Sequence, residues 1–246
     1  MERRYRATVE YDGCDYLGFQ IQARGRTIQG ELEKALERVT QEPARVIGAG
    51  RTDAGVHALG QVIAFNSTWR HSPPELQRAL NAVLPPEIAI SELDPARSEF
   101  HPRYDALWRQ YRYTIINQPV RSPLWQRYAC HVPAALDVAA MQAASRELLG
   151  VHDFAAFGRP MHEESTRRQV LQAEWVAEDR RLVFTITANA FLYRMVRNIV
   201  GSLLRVGRGE LAAAEMAALL QAPDRAAAGP PAPARGLCLM KVAYVE

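Results

Sequence analysis

Asp53 is a lone carboxylate in the segment GAGRTDAGVHALGQVIAF (residues 48–65), which is otherwise poor in acidic residues. Glycines lie on both sides of it, and an arginine–threonine pair comes directly before it. Aspartate tolerates unusual backbone angles and bonds to nearby amides, so a turn residue is the commonest role at such a position. A carboxylate there can also act as a nucleophile or a base. The segment alone leaves both interpretations open.

A phosphate-binding loop is a third interpretation of the same glycine-rich segment, and the pattern argues against it. No glycine-lysine-serine or glycine-lysine-threonine tail follows, and no helix is expected directly after the glycines. Metal binding also lacks a pattern, because only His57 of the six histidines falls in this segment and no His/Cys/Asp/Glu cluster has metal-ligand spacing. The sequence therefore predicts no metal.

Positive charge in this chain is almost entirely guanidinium, because lysine occurs only at positions 34 and 241. Arginine prefers phosphates and the faces of bases, although the net charge of +3 is too small to indicate nucleic-acid binding by itself. Apolar residues recur at helical spacing over residues 190–208 and predict a long helix. A basic ridge along its other side is predicted for Arg194, Arg197, Arg205 and Arg208. Such a ridge is most often a solvated face.

The cellular setting follows from what the chain lacks. Cys14, Cys130 and Cys238 are odd in number and far apart, which predicts reduced thiols rather than a disulfide framework. The opening MERRYRATVEYDG has none of the regions of a secretory signal. The most apolar helix candidate carries three arginines, and no run of about 18 apolar residues exists. A soluble cytoplasmic protein, not associated with a membrane, is expected.

Periodicity predicts an α+β fold in two similar α/β halves with mainly antiparallel sheets, covering residues 1–105 and 106–246. Similar openings, YRATVEYDG and YRYTIINQP, suggest an internal duplication with an active-site cleft between the halves. In the first half we expect strands at 4–12, 44–50, 60–67 and 87–94, and helices at 27–40 and from Ser72. In the second we expect strands at 108–117, 167–179, 181–190 and 237–246, and helices at 136–150, 190–208 and 210–222.

Seven ordered segments resemble the tRNA pseudouridine synthase A family over essentially the whole chain. They are YDGCDYLGFQIQ (11–22), TIQGELEKAL (27–36), GAGRTDAGVHALGQV (48–62), FHPRYDALWRQYRYTI (100–115), GVHDFAAF (150–157), NAFLYRMVRNIVGSLLRVG (189–207) and APARGLCL (232–239). Seven such segments in sequence order are highly specific, and small deviations such as Cys14 and Cys238 fall at positions with no assigned chemistry.

The resemblance implies a pseudouridine-synthase fold and isomerisation of uridine to pseudouridine in the anticodon stem-loop of tRNA, at positions 38 to 40, without cofactor or metal. Asp53 matches the catalytic aspartate of the family, Tyr111 its active-site tyrosine, and Arg197 the arginine that pairs with the aspartate. By the same resemblance, the partners are tRNA and a second copy of the chain in a homodimer. Substrate contacts are further implied for Arg51, Gly236 and Leu237, the last two lining the uracil pocket.

The chemistry gives independent reasons for these residue types. Isomerisation breaks the bond from N1 to the ribose and rejoins uracil through C5. Asp53 would attack uracil C6 or ribose C1′, or would remove a ribose proton, and the sequence does not choose among the three. Burial favours the protonated carboxyl, and the Arg197 guanidinium opposes that effect. Tyr111 and Tyr113 share one face of a strand, where an aromatic ring suits a flipped-out base.

Phosphate contacts hold the RNA in this interpretation. The candidates are Arg24, Arg26, Arg78, Arg103, Arg109, Arg167 and Arg168, with His57 near the catalytic turn. Affinity should then fall steeply with salt. Two rival functions stay open: an RNA-binding module without activity, and a nucleotide hydrolase that requires a divalent metal. Binding of tRNA without conversion would indicate the first, and metal-dependent activity without RNA the second.

Overall fold

The computed structural model of the chain describes residues 2–160 and 165–245. Two compact units are distinguished, one comprising Met1–Leu107 with Leu239–Glu246 and the other Trp108–Cys238. Met1 and Glu246, at the ends of the predicted halves, lie outside the described residues. The halves predicted at 1–105 and 106–246 stay a prediction.

The first unit is built on an antiparallel sheet in which β1 lies between β4 and β3 and the short β2 pairs with β3. Its elements are β1 (Arg3–Tyr11), α1 (Ile28–Thr40), β2 (Ile47–Gly48), β3 (His57–Ser67), α2 (Pro73–Val83) and β4 (Ile88–Pro95). Alternate residues of β1 are buried, as its sequence pattern predicts. Almost every residue of β3 is buried, so this strand runs through the core of the unit.

Helix ends in the first unit follow the capping residues that the sequence supplies. Thr27 Oγ1 accepts the N–H of Gly30 at the start of α1. At the start of α2, Glu75 accepts from the Ser72 N–H and hydroxyl, which confirms the predicted capping box. The buried sides of the two helices supply Leu32, Leu36, Leu76 and Leu80 to the core.

The strands of the second unit pair antiparallel in the order β5-β9-β8-β7, and β6 pairs parallel with β5. Its elements are β5 (Trp108–Ile116), β6 (Cys130–His131), α3 (Val138–Arg146), β7 (Gly150–Asp153), β8 (Arg167–Glu178), β9 (Arg181–Ala188), α4 (Met195–Gly207) and α5 (Ala213–Gln221). Helix α3 contacts α4, α5 and β8. The indole N–H of Trp175 donates to Ser145 Oγ and ties β8 to α3.

The last strand, β10 (Leu237–Ala243), begins in the second unit and ends in the first. A Pro- and Ala-rich loop and a short 3-10 helix, Ala234–Gly236, precede it. The predicted α+β class with mainly antiparallel sheets is confirmed. Across the described ranges, no helix has both the length and the apolar character needed to cross a membrane.

The predicted long helix at 190–208 is wrong at its beginning. Helix α4 starts at Met195, because Arg194 adopts the left-handed conformation with φ of 61° and Tyr193 forms a β-bridge with Arg159. Arg194 therefore does not extend the basic ridge predicted for the helix. At its other end, Arg205 and Arg208 both lie within 4.0 Å of Glu210 oxygens. The ridge is thus broken, and part of it makes ion pairs within the protein.

Several strand boundaries also differ from their predictions. Strand β3 begins at His57 rather than at residue 60, because Tyr11 of β1 pairs with Ala58. The strand predicted at 44–50 is reduced to two residues. The sequence pattern missed β6 and β7, which are short and lack apolar alternation. Tertiary pairing decides such short segments more than local preference does.

Candidate active site

Asp53 lies in the connection between β2 and β3, within a segment that we call the Asp53 turn (residues 49–56). The turn is closed by the Val56 N–H, which donates to the Asp53 carbonyl oxygen at 3.1 Å, and by Gly55 with φ of 78°. At its start, the Ala49 N–H donates to the carbonyl oxygen of Val62 in β3. Asp53 is half-buried and Arg51 is exposed. The turn interpretation of Asp53 is confirmed, and it is compatible with a role in chemistry.

Gln61 holds the Asp53 turn from the adjacent strand. Its side chain is fully buried; its Oε1 accepts the Gly50 N–H at 3.2 Å and its Nε2 donates to the Gly50 carbonyl oxygen at 2.8 Å. The same Nε2 lies 3.4 Å from the hydroxyl of Tyr11, which shares a 2.8 Å hydrogen bond with Thr52 Oγ1. A buried polar network therefore fixes the two residues on either side of Arg51, directly before Asp53.

The segment 11–19 lies against the other side of the turn. The Phe19 N–H donates to the Thr52 carbonyl oxygen at 3.0 Å. Gly18 has φ of 98°, and a Cβ built there would lie 2.7 Å from the Thr52 oxygen and 3.1 Å from the Asp53 carbonyl carbon. A Cβ on Gly13 would overlap the Val56 carbonyl group. This contact accounts for glycine at both positions, because only a residue without a side chain admits so close an approach.

His57, predicted to contact substrate, lies next to the turn and is only 6% exposed. Its Nδ1 lies 3.2 Å from both the Gly13 nitrogen and Asp12 Oδ1. Nδ1 accepts the Gly13 N–H bond when it carries no proton and donates to Asp12 when it carries one. Together with Cys14, these side chains place three possible metal ligands within 4.8 Å of one another. The expectation that no such cluster exists is therefore wrong, although hydrogen bonds within the cluster already engage Nδ1 and Asp12.

Two of the arginines predicted to bind RNA differ in their surroundings. Arg24 is exposed. Arg26 donates to the Tyr16 hydroxyl at 2.9 Å and lies 3.8 Å from carboxylate oxygens of both Glu31 and Glu87. Burial raises the pKa of Tyr16 to about 12, so its hydroxyl stays protonated. Both arginines are therefore exposed, and Arg26 already has counter-charges within its own unit.

In the second unit, Tyr111 lies on β5 with Tyr113, and Arg112 points to the opposite side of the strand, as alternation predicts. Tyr111 is 9% exposed, and its ring meets that of Phe191 edge to face at 5.1 Å. Tyr113 is fully buried and donates its hydroxyl to the Pro233 carbonyl oxygen at 2.8 Å. The more accessible of the two tyrosines is thus the one that the family resemblance selects.

Arg197 fastens the loop before β10 onto α4. Its Nε donates to the Ala232 carbonyl oxygen at 2.8 Å, and the Ala232 N–H donates to the Arg197 carbonyl oxygen at 2.9 Å. Further along the helix, Ser202 Oγ accepts the Gly229 N–H. The loop that leads to Gly236 is therefore held by both main chain and side chains of α4.

Gly236 and Leu237, predicted to line the uracil pocket, follow directly on this loop. A Cβ on Gly236 would lie 2.6 Å from the Tyr113 ring and 3.0 Å from the Thr114 carbonyl oxygen, so a larger residue does not fit there. Leu237 is 6% exposed. Next to Tyr113, burial raises the pKa of the Cys130 thiol, which keeps it in the unreactive neutral form. The second unit thus brings the strand of Tyr111, the helix of Arg197 and the Gly236 segment together.

Sequence reasoning missed the residues that hold Asp53 in place. Gln61 is a polar residue directly before the apolar run VIAF (residues 62–65). This contrast is the one signal in the sequence that could have identified it. Tyr11 and Thr52 are separated by 41 positions, and no local pattern links them. The pairing of Asp53 with Arg197 stays a prediction.

The family model described as tRNA pseudouridine synthase matches residues 7–105 and 144–245 of the chain. The first stretch includes Asp53 with the Asp53 turn, and the second includes Arg197, Gly236 and Leu237. Tyr111 lies between the two matched stretches. The match covers well over half of the chain.

Curated relatives extend the similarity to nearly the full length. A tRNA pseudouridine synthase A of Roseiflexus castenholzii is 46% identical over 242 residues, covering 97% of this chain and 89% of the relative. Proteins of the same name from Moorella thermoacetica and Streptococcus equi are 45% and 40% identical, covering 96% and 99% of this chain and 98% and 99% of theirs. The resemblance drawn from the sequence motifs is confirmed: the chain belongs to the tRNA pseudouridine synthase family, whose enzymes isomerise uridine to pseudouridine.

Proposed function

We propose that this protein isomerises uridine to pseudouridine in the anticodon stem-loop of tRNA, with Asp53 as the reacting carboxylate. The observation that carries the proposal is the placement of Asp53 on a turn held by a buried network from Gln61 and Tyr11. A reacting group must be held to within a fraction of an ångström of its productive position, and such a network supplies that constraint. An ordinary surface turn has no need of it.

The reaction is an isomerisation without net transfer of atoms to another molecule. The bond between N1 and ribose C1′ breaks, the uracil turns, and a bond forms between C5 and C1′, while C5 loses its proton and N1 gains one. Asp53 stabilises the separated state by bonding covalently to C6 or C1′, or by removing a ribose proton. All three routes require an ionised carboxylate at the start.

The remaining residues of the proposal have separate tasks. Arg197 supplies a positive counter-charge that favours the ionised form of Asp53. Tyr111 stacks on the flipped-out uracil and assists proton removal from C5. Gly236 and Leu237 line the uracil pocket. The exposed Arg51, with Arg24, Arg26 and Arg103, contacts the RNA backbone around it, and the buried His57 lies next to the catalytic turn on the substrate side of the proposal.

The test compares the wild-type protein with Asp53→Asn on an unmodified tRNA transcript carrying tritium at uridine C5, in the presence of a chelator. Release of tritium reports the loss of the C5 proton. We expect conversion by the wild type and none detectable in Asp53→Asn, with tRNA affinity retained. Asp94→Asn, on the exposed part of β4, is the matched control and should react as the wild type does. Full activity of Asp53→Asn would falsify the assignment.

Tyr111→Phe keeps the stacking ring and removes the hydroxyl, so turnover should slow while the affinity for tRNA is retained. Tyr113→Phe is its control on the same face of β5, because the Tyr113 hydroxyl is bonded to Pro233 instead. An unchanged rate for Tyr111→Phe would limit Tyr111 to packing.

Two further parts of the proposal concern the assembly and its setting. We propose a cytoplasmic homodimer, which light scattering should show as twice the chain mass of 27.5 kDa. A monomer that retains full activity would contradict the dimer. Affinity for tRNA should fall steeply as salt rises, because each phosphate contact releases a counterion. A flat salt dependence would contradict binding through phosphates.

A further inference from the structure

Tyr104 is an aromatic residue that the protein leaves in solvent, with 72% of its surface exposed. It lies in the first unit, in a compact segment after β4 that we call the Tyr104 turn (residues 101–105). Large aromatic side chains contribute most when they are buried, so a ring this exposed contributes little to stability. The exposed position of this ring therefore calls for an explanation other than stability.

The Tyr104 turn is rigid because its own side chains close it. His101 Nδ1 accepts the N–H groups of Arg103 and Tyr104, at 3.2 and 3.3 Å. The Asp105 N–H donates to the His101 carbonyl oxygen, and Asp105 Oδ2 accepts the His101 N–H in return. Arg97 donates to the same Oδ2 at 2.8 Å. The ring is thus presented on a fixed backbone.

The base of the turn is anchored to the rest of the unit. The Tyr244 hydroxyl donates to the Pro102 carbonyl oxygen at 2.8 Å, and the Tyr244 ring meets Phe100 edge to face. Arg4 of β1 donates from two nitrogens to the Phe100 carbonyl oxygen. A ligand that stacks on Tyr104 would therefore meet a prearranged surface and would order little of the chain on binding.

The chemistry around the ring matches a nucleotide. The His101 ring supports the Tyr104 ring at a centroid distance of 4.3 Å and an angle of 32°, and the Arg103 guanidinium lies 5.7 Å from the Tyr104 centroid. Unpaired bases stack on aromatic rings and on guanidinium planes, and the guanidinium also neutralises a phosphate. Two acidic residues in and near the turn are engaged in hydrogen bonds, Asp105 with Arg97 and Glu99 with the Ser98 hydroxyl. An apolar protein partner would instead have to desolvate Arg103.

We propose that Tyr104 is a stacking platform for an unpaired base of the RNA substrate, with Arg103 beside it to contact a phosphate. The inference rests on the proposed function and adds a contact to it. The reacting uridine is assigned to the Asp53 and Tyr111 site, so the base on Tyr104 is a second, non-reacting nucleotide. Tyr104 therefore contributes to the affinity for tRNA and not to the chemical step.

The test uses the full-length protein, an unmodified tRNA transcript, and the variants Tyr104→Ala and Tyr104→Phe. Loss of one base–aromatic stack should raise the Kd and the KM of Tyr104→Ala by about five- to 100-fold. The kcat at saturating tRNA should be unchanged, and Tyr104→Phe should bind as the wild type does because its ring is retained. Tyr128→Ala removes another exposed tyrosine, in the second unit, and should leave both constants near the wild-type values. A 2-aminopurine base at unpaired positions of the transcript should lose its stacking-dependent quenching only with Tyr104→Ala.

Three outcomes would overturn the platform. An unchanged Kd and KM for Tyr104→Ala would show that no base stacks on the ring. A fall in kcat with unchanged KM would place Tyr104 in the chemistry instead. A changed molecular mass with an unchanged Kd would show that the ring contacts a second copy of the chain.

The same measurements separate this inference from the proposed function. If the wild type binds tRNA through Tyr104 but converts no uridine, the proposed function fails and the platform stands. If the wild type converts uridine and Tyr104→Ala is indistinguishable from it, only the platform fails.

Discussion

The Asp53 turn and the Tyr104 turn lie in the same unit and are built in opposite ways. Contacts from distant parts of the chain hold the first, through Gln61, Tyr11 and Phe19. The second is closed mainly by its own residues: His101 and Asp105 bond to groups within four positions of themselves, and Arg97 adds one bond to Asp105. A group that reacts must be placed by the whole fold, whereas a ring that binds needs only a rigid support.

This difference decides which measurement each turn should affect. A substitution that loosens the Asp53 turn displaces a reacting carboxylate, so it should lower kcat even when it lies outside the turn. Loosening the Tyr104 turn should weaken binding and spare the chemical step. Substitutions at Gly18, Gln61 and Tyr11, which contact the Asp53 turn, test this division.

Gly18→Ala should have the largest effect. The added Cβ would lie 2.7 Å from the Thr52 carbonyl oxygen. The alanine would also have to adopt a φ of 98°, which residues with a side chain rarely do. We expect a destabilisation of about 2–4 kcal/mol, from overpacking and the left-handed backbone together. The kcat of the remaining folded protein should fall by roughly 100-fold, as expected for a displaced reacting group.

Gly209→Ala is the matched control for this variant. Gly209 also has a positive φ, of 72°, but no atom lies within 4 Å of its hypothetical Cβ. It should show the backbone cost alone, about 1 kcal/mol, with normal kcat. Equal losses of stability and activity in both variants, measured by denaturation and tritium release, would show that contact with the Asp53 turn is unimportant.

Gln61→Leu should have the next largest effect. It leaves the N–H and the carbonyl of Gly50 without their buried partners, which costs about 1–3 kcal/mol of stability. The kcat should fall by roughly tenfold with little change in KM, because the turn is loosened without touching the RNA.

The control for Gln61→Leu is Gln77→Leu. Gln77 also bonds to main-chain carbonyls, those of Ile90 and Ser91, but it does so on α2 in another part of the same unit. It should lose stability and keep its kcat. If Gln61→Leu and Gln77→Leu reduce activity only in proportion to the unfolded fraction, the Gln61 contact has no positioning role.

Tyr11→Phe removes one hydroxyl from the network, so its effect should be smaller. Loss of the bond to Thr52 should cost about 1 kcal/mol, and kcat should fall only a few-fold. In a double-mutant cycle with Gln61→Leu, the two changes should be coupled by about 0.5 kcal/mol or more, since the residues share the hydroxyl. Strictly additive effects would mean that Tyr11 and Gln61 act on the turn independently.

The two turns also show what sequence patterns can predict. Alternation and capping residues were sufficient for β1, β5 and the start of α2, because each depends on neighbours along the chain. Helix α4 was predicted too early because its apolar period continues through Phe191, while the bridge of Tyr193 to Arg159 stops the helix there. That bridge joins positions 34 residues apart (193 − 159), and local periodicity does not predict a contact at such a separation.

The candidate site divides in the same way. Asp53 was identified by its segment, and its turn by the flanking glycines. The Gln61–Tyr11–Thr52 network was not, because its members gain their roles only once β1 and β3 have paired. Tyr104 was overlooked for a different reason: an aromatic residue within a motif is taken for core, and only the exposed fraction distinguishes the two cases.

The smallest effect concerns the pH dependence of the Tyr104 turn. Burial lowers the pKa of His101 from the ordinary value of 6.5, the nearby Arg4 and Arg103 lower it further, and Asp105 opposes them. The folded turn therefore favours the neutral ring, in agreement with Nδ1 accepting two N–H bonds. Because the unfolded chain binds the proton more readily, the stability from these bonds is present above pH 6.5 and is lost as pH falls towards the lowered pKa.

Below that pKa the protonated Nδ1 can no longer accept, and the ring of Tyr104 loses its fixed support. The ratio of the Kd of Tyr104→Ala to that of the wild type should therefore shrink as the pH falls through the lowered pKa of His101, while remaining large near neutral pH. Comparing the two proteins at each pH removes effects on the RNA and on other groups, which both proteins share. A ratio that stays constant across this range would mean that the ring stacks equally well on a loosened backbone. Function would then depend on the hydrogen bonds that fix the backbone only in the Asp53 turn, and not in the Tyr104 turn.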